Sequence, residues 1–263
     1  MVTINNKETI YKTSGLKLET ADIVLVHTKK SLWGWIIRRG THCYWNHALI
    51  VCSPGSPENA YKDALVIDAK TGGTIEMEHL QKYLSRRGKY DIAVKRFEAN
   101  WFCDCKQSDN LDLRKRICDI AEGEAVIKSK SKPRELLSQV LRQLTIISRF
   151  LRRKLFRARK SPNLPWNIRP VQMKAFTCGG FIQWCYYKAI TQLAREKRST
   201  KSRIQDIVFN PRAEKRITPY ELLTTTPADL ANCNKLTWKY IVTDGLIREA
   251  PFFGEKKLSA SAI

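Results

Sequence analysis

Residues 21–51 read ADIVLVHTKKSLWGWIIRRGTHCYWNHALIV, and this stretch decides the fold class. The runs at 22–27 and 47–53 are short, apolar and rich in β-branched residues, which predicts two buried strands. Between them, residues 31–39 predict a short helix with Ser31 as its N-cap. Further strands are predicted at 65–69, 74–77 and 90–97. Because the connections are short, we expect these strands to form a meandering antiparallel sheet.

The second half of the chain is mainly helical by the same criteria. Apolar residues at three- and four-residue intervals predict helices, and two apolar runs near the end predict strands. The predicted helices are 78–85, 110–127, 176–197 and 226–232, and the predicted strands are 236–242 and 246–250. The whole pattern predicts an α+β protein.

The charge of the chain points to an anionic partner. The 263 residues include 47 Lys and Arg against 25 Asp and Glu, a net charge of +22. With 43% apolar residues the composition is globular, so a disordered chain is excluded. Neither an export signal nor a long uncharged apolar run is visible. We therefore predict a cytoplasmic protein, peripheral at a membrane if bound to one, with its eight cysteines reduced.

Residues 128–160 concentrate the basic charge, with twelve Lys or Arg and a single acidic residue, Glu135. Leucines and isoleucines recur at helical spacing, and arginines lie on the opposite side of the predicted helix. An anionic membrane surface is the partner that this pattern favours. The alternatives are a helix packed on its own domain and, with less support from known motifs, a nucleic-acid-binding helix.

Three residues carry side chains that suit nucleophilic acyl chemistry. Cys178, in FTCGGF, opens a predicted helix, where the helix dipole favours a thiolate and the first N–H groups lack helical acceptors. His47 begins an apolar strand, and Asp68 lies in the apolar strand VIDA. A buried carboxylate and an imidazole are natural partners. The alternatives are structural: a buried cysteine, a core or edge histidine, and an aspartate that caps a turn.

The remaining histidines and cysteines give weaker signals. His42 is the nearest rival to His47, while His27 and His79 have no suggestive neighbours. Cys103, Cys105 and Cys118 lack the C-x-x-C spacing of zinc sites, and no fourth ligand is evident. No metal and no cofactor is therefore expected.

Five short motifs together resemble the permuted branch of the NlpC-type, papain-like cysteine hydrolases. The motifs are ADIV (21–24), NHAL (46–49), VIDA (66–69), TCGG (177–180) and TPADLA (226–231). In that branch the sheet with the histidine precedes the helix with the nucleophilic cysteine. The resemblance covers about residues 20–97 and 171–245 and excludes the basic segment. It implies a permuted papain-like domain over residues 20–263, with a basic helical insertion at 106–170.

The resemblance also implies roles for the three residues. Cys178 would be the nucleophile, His47 the general base, and Asp68 the group that orients His47, where relatives often have Glu or another polar residue. The implied activity is that of a cysteine hydrolase or acyltransferase, of the amidase or peptidase, thioesterase or acyltransferase type. Its substrates would be small-molecule, peptide or lipid acyl compounds. The alternative is a non-catalytic basic protein on the same fold that binds nucleic acid or an anionic membrane.

Overall fold

The computed structural model describes residues 17–56, 60–70, 74–84, 88–103, 108–128, 166, 176–196, 203–243 and 246–249. These residues form an open, seven-stranded antiparallel sheet with helices packed against it. The predicted α+β class is therefore confirmed.

The sheet contains the candidate residues His47 and Asp68 on adjacent strands. The strands are β1 (Ile23–Thr28), β2 (His47–Ser53), β3 (Leu65–Ala69), β4 (Ile75–His79), β5 (Tyr90–Phe97), β6 (Leu236–Thr243) and β7 (Leu246–Glu249). Their order is β4-β3-β2-β1-β5-β6-β7. The first four strands follow one another as in a meander, but β5 returns to pair with the free side of β1. The register places His47 opposite Val26, at the end of the sheet where β1 stops.

The described residues contain more helices than the sequence pattern predicts, and the additional ones have four or five residues each. In the described residues they are α1 (Leu32–Thr41), α2 (Ala60–Asp63), α3 (Gln81–Leu84), α4 (Asn100–Cys103), α5 (Ser108–Lys128), α6 (Cys178–Glu196), α7 (Pro211–Lys215), α8 (Pro219–Leu223) and α9 (Pro227–Asn232). Ser31 caps α1 as predicted, because its hydroxyl accepts a hydrogen bond from the N–H of Gly34 at 3.1 Å. The helix predicted at 78–85 begins only at Gln81, since β4 continues to His79 and pairs with Leu65.

Apolar side chains pack on both faces of the sheet, as alternation along the strands requires. On one face Ile23 and Ile50 belong to a cluster with Ile117 of α5 and Trp184 of α6. On the other face Val24, Leu49 and Val66 lie in a second cluster with Leu80 and Leu84. The long helices α5 and α6 also pack against each other. The sheet and α6 therefore share one core, which holds their ends in a defined relative position.

A buried ion pair holds the start of β1. Asp22 is fully buried, and its two carboxylate oxygens accept hydrogen bonds from Nε and Nη2 of Arg96 at 2.7 and 2.8 Å. Such a two-point pair compensates the cost of burying both charges. Ala21, immediately before it, adopts a left-handed φ of 70°. The ADIV motif therefore has a structural role, because it fixes the point at which β1 begins.

The predicted insertion at 106–170 begins with a core helix. Leu113, Ile117 and Ala121 of α5 are buried against the sheet and α6. The basic amphipathic helix predicted at 128–160 lies, apart from Lys128, outside the described residues, and its partner stays a prediction. Among the helices that the structure describes, none is both long and apolar enough to cross a bilayer.

Candidate active site

Cys178 is the first residue of α6, and Thr177 caps that helix. The Thr177 hydroxyl oxygen accepts a hydrogen bond from the N–H of Gly180 at 2.8 Å, and the Thr177 carbonyl accepts one from Phe181 at 2.9 Å. The N–H groups of Cys178 and Gly179 have no acceptor within the helix, because first-turn donors never do. The Cys178 thiol thus lies at the positive end of the helix dipole, beside N–H donors.

Two glycines let the start of α6 lie directly on the backbone of residues 223–226. A Cβ atom at Gly180 would lie 1.9 Å from the carbonyl oxygen of Leu223, and one at Gly179 would lie 2.8 Å from that of Thr225. The Thr177 N–H also donates to the Leu223 carbonyl at 3.2 Å. The segment between α8 and α9 therefore fixes the position of Cys178.

His47 lies between Cys178 and Asp68 and interacts with both. Its Nε2 is 2.7 Å from Oδ1 of Asp68, and its side chain is 18% exposed. The ring also lies near enough to the Cys178 side chain for the two to interact electrostatically.

The charges around His47 favour its protonated form. Burial by itself lowers the pKa of His47, but its interactions with Cys178 and Asp68 raise this pKa well above its ordinary value. An imidazolium beside a thiolate is the reactive form of a cysteine–histidine pair.

Asp68 is buried in β3, with 4% of its side chain exposed, and both of its oxygens are engaged. Oδ1 faces His47, and Oδ2 accepts a hydrogen bond from the Tyr83 hydroxyl at 2.8 Å. Burial raises the pKa of Asp68, but the charge of His47, the hydrogen bonds from His47 and Tyr83, and the charge of Lys70 lower it overall. Asp68 is therefore an ionised carboxylate held by two donors.

Behind Asp68 a group of ion pairs reaches the protein surface. Lys70 is paired with Glu76 and Glu78, and Lys82 is also paired with Glu78. The Tyr83 hydroxyl is 3.4 Å from Oε2 of Glu78, farther than from Asp68. Partly exposed pairs of this kind contribute little stability each. Their effect on the site is to place the positive charge of Lys70 near Asp68.

The structure brings together all three residues that the sequence singles out, Cys178, His47 and Asp68. The other histidines lie elsewhere: Nδ1 of His27 is 2.8 Å from the Tyr44 carbonyl oxygen, and its ring stacks on Tyr44. His42 and His79 are exposed. In the described part of the chain, no group of three or more His, Cys, Asp or Glu side chains is placed to hold a metal ion.

Tyr83 is the site residue that sequence reasoning missed. Its spacing with Leu80 and Leu84 predicts a buried helix face, and it is indeed buried. The sequence feature that indicates a polar contact is the hydroxyl of Tyr83, since the hydroxyl of a buried tyrosine normally has a hydrogen-bond partner.

Replacing Tyr83 with phenylalanine should destabilise the protein by about 1–3 kcal/mol, because a buried carboxylate oxygen loses its donor. The change should also raise the pKa of Asp68. In the folded protein this pKa lies below its ordinary value, which is the value in the unfolded chain. Ionised Asp68 therefore stabilises the fold at pH values above the ordinary pKa, and this stabilisation is lost as the pH falls through the folded pKa. Acid unfolding of Tyr83→Phe should therefore begin at a higher pH than that of the native protein, as measured by circular dichroism.

Tyr90→Phe is the matched control, because the Tyr90 ring lies 5.3 Å from the Tyr83 ring in edge contact. It should leave the acid midpoint close to that of the native protein. Equal midpoints for Tyr83→Phe and the native protein would show that Tyr83 does not support Asp68.

Neither protein-family profiles nor curated proteins match this sequence.

Proposed function

We propose that this protein is a cysteine-dependent hydrolase or acyltransferase that cleaves an amide, ester or thioester bond. The observation that carries the proposal is that His47, hydrogen-bonded to Asp68 at 2.7 Å, also interacts electrostatically with Cys178 at the start of α6. A thiol, an imidazole and a carboxylate joined in this order supply the nucleophile, the base and the group that orients the base.

We place this site on a permuted papain-like fold. In support, His47 and Asp68 come from β2 and β3, and Cys178 comes from α6, which follows them along the chain. This is the order that the resemblance of the five motifs implies. A nucleophile at the start of a helix, packed against a sheet that carries the base, fits the same arrangement.

In the first half of the proposed reaction, the Cys178 thiolate attacks the carbonyl carbon of the substrate and forms a carbon–sulfur bond. The resulting oxyanion is stabilised by the N–H of Cys178 at the helix start. The bond to the leaving group then breaks, and the His47 imidazolium gives that group its proton. An acyl-enzyme and a neutral imidazole remain, with the ring held in place by Asp68.

In the second half, His47 takes a proton from water or from another acceptor, which attacks the acyl-enzyme. The carbon–sulfur bond breaks, and the thiolate and the imidazolium are restored. Water as acceptor gives hydrolysis, and an alcohol or amine gives acyl transfer. The substrates we propose are small-molecule, peptide or lipid acyl compounds.

Limited alkylation tests the proposal. Iodoacetamide at neutral pH should modify Cys178 first among the eight cysteines, with the site identified by mass spectrometry of peptides. Burial raises the pKa of Cys43, Cys185 and Cys233, so these thiols should react slowly. The Cys178→Ser variant is the control. It should lose the fast phase of labelling and keep the slow labelling of the other cysteines.

Two results would overturn the proposal: fastest labelling of another cysteine in the folded protein, or labelling of Cys178 only after unfolding. Either would favour the alternative that the sequence leaves open, a non-catalytic basic protein that binds nucleic acid or an anionic membrane on the same fold. The specific support for that alternative is the net charge of +22.

A further inference from the structure

Helix α1 exposes two large apolar side chains on one side. Leu32 is 72% exposed and Trp35 is 55% exposed. They are three residues apart, so they are neighbours on the helix surface. Ser31 caps the helix, which extends over the ten residues Leu32–Thr41, or about three turns. It therefore presents an apolar ridge to the outside of the protein.

Positive charge borders this ridge. Lys30 precedes Leu32 and Arg39 lies one turn after Trp35, and both are exposed. Residues 23–57 contain four Lys or Arg and no Asp or Glu, so no acidic residue of this stretch offsets the charge. We call Lys30, Leu32, Trp35 and Arg39 the α1 surface.

The opposite side of α1 is anchored beside the candidate active site. A Cβ atom at Gly34 would lie 3.1 Å from Nδ2 of Asn46, the residue immediately before His47. Arg38 reaches back from the same helix and donates a hydrogen bond to the Thr28 carbonyl at 2.9 Å. The helix is therefore fixed against the end of the sheet where β2 and His47 begin.

We propose that the α1 surface docks the protein on an anionic lipid bilayer. A leucine and a tryptophan enter the interface between headgroups and acyl chains, where tryptophan is preferred, and the flanking cations meet anionic headgroups. Nucleic acid fits this surface less well, because an exposed leucine beside the cations finds no apolar partner on a phosphate backbone. The proposal goes beyond the proposed function and does not depend on it.

Docking in this way places the candidate active site next to the membrane surface. The Leu32–Trp35 ridge and the Asn46 side chain lie on opposite sides of a helix that is about 10 Å across. This one consequence rests on the proposed function: Cys178 as nucleophile would then be close to acyl groups carried by membrane lipids or by membrane-bound peptides.

Vesicle sedimentation of the full chain with Cys178→Ala tests the proposal, because this variant cannot consume a lipid substrate. It should bind vesicles of phosphatidylcholine with phosphatidylserine more tightly than vesicles of phosphatidylcholine alone, and added salt should weaken the binding. Adding Leu32→Ser and Trp35→Ser should lower the partition coefficient at least about tenfold. The melting temperature should change little, because both side chains are exposed.

Met77→Ser is the matched control, since Met77 is 45% exposed on β4, at the far edge of the sheet. It should change the partition coefficient less than about twofold. A second measurement does not rely on the double variant. Lipids with brominated acyl chains should quench the tryptophan fluorescence of the native protein more than the tryptophan fluorescence of the Trp35→Phe variant.

Three outcomes would overturn the proposal. In the first, the variant with Leu32→Ser and Trp35→Ser binds vesicles as tightly as its parent. In the second, the parent does not bind vesicles. In the third, the parent binds DNA or RNA but not vesicles, and the changes at Leu32 and Trp35 weaken that nucleic-acid binding. Failure of Cys178 to react with iodoacetamide would overturn the proposed function and leave these expectations unchanged.

Discussion

Replacing His47 with alanine should lower the rate at which an activated ester acylates Cys178 by about 10²–10⁴-fold, the usual contribution of a positioned base. The structural reason is that the His47 ring interacts electrostatically with the Cys178 side chain and is itself held by Asp68 at 2.7 Å. Without the imidazole, Cys178 loses the base that takes its proton and the cation that stabilises its thiolate. The burst of p-nitrophenol released from p-nitrophenyl acetate measures this rate in a stopped-flow experiment.

His79→Ala is the control for a general loss of histidine. His79 is exposed at the end of β4, where it pairs with Leu65 in the sheet register. The His79→Ala change should leave the burst rate within about twofold of the native value. A burst in His47→Ala as fast as that in His79→Ala would contradict the role of His47 as base.

Replacing Gly180 with alanine should destabilise the protein by about 4 kcal/mol or more, at the extreme of single substitutions. The added Cβ would lie 1.9 Å from the carbonyl oxygen of Leu223 and 2.3 Å from its carbonyl carbon. Both atoms belong to the backbone, so the start of α6 or the end of α8 must move. Urea denaturation followed by circular dichroism measures the loss.

The control is Gly123→Ala in α5, where nothing lies within 4 Å of the added Cβ. Alanine is the better helix former by about 1 kcal/mol, so this variant should be at least as stable as the native protein. A fall in stability of similar size for both variants would show that the close packing at Gly180 is not the cause.

Gly180→Ala should also slow the labelling of Cys178 in any protein that stays folded, because the shift moves the helix start on which Cys178 lies.

The elements with strong local signals were predictable from the sequence. The strands at 47–53, 65–69 and 90–97 have their predicted bounds, because each is an apolar run that ends at polar or turn-forming residues. The start of α6 was also predictable, since Thr177 is a residue that caps helices and Cys178 follows it directly.

Four short helices, α2, α4, α7 and α8, were missed, although the sequence marks two of them. In α7 and α8, Asn210 and Thr218 act as caps, and a proline follows each at the first helical position. A cap followed by proline is a recognised helix start. Both helices are only five residues long, so they contain too few apolar residues to show a helical period.

The sequence alone predicted which side chains are suited to acyl chemistry, because thiols, imidazoles and carboxylates carry that chemistry wherever they lie. Local pattern placed Cys178 at a helix start and His47 at a strand start. It also determined the α+β class and the basic character of the chain, since both follow from composition and short-range periodicity.

Only the tertiary structure decided which of these groups meet. The pairing of β5 with β1, the contact of His47 with Cys178, the Tyr83 hydroxyl on Asp68 and the passage of Leu223 over Gly180 join residues from separate elements. Such contacts leave no local period in the sequence, because they depend on how whole elements pack into one core. The exposure of Leu32 and Trp35 was decided in the same way, since burial of an apolar helix face depends on what the rest of the chain places against it.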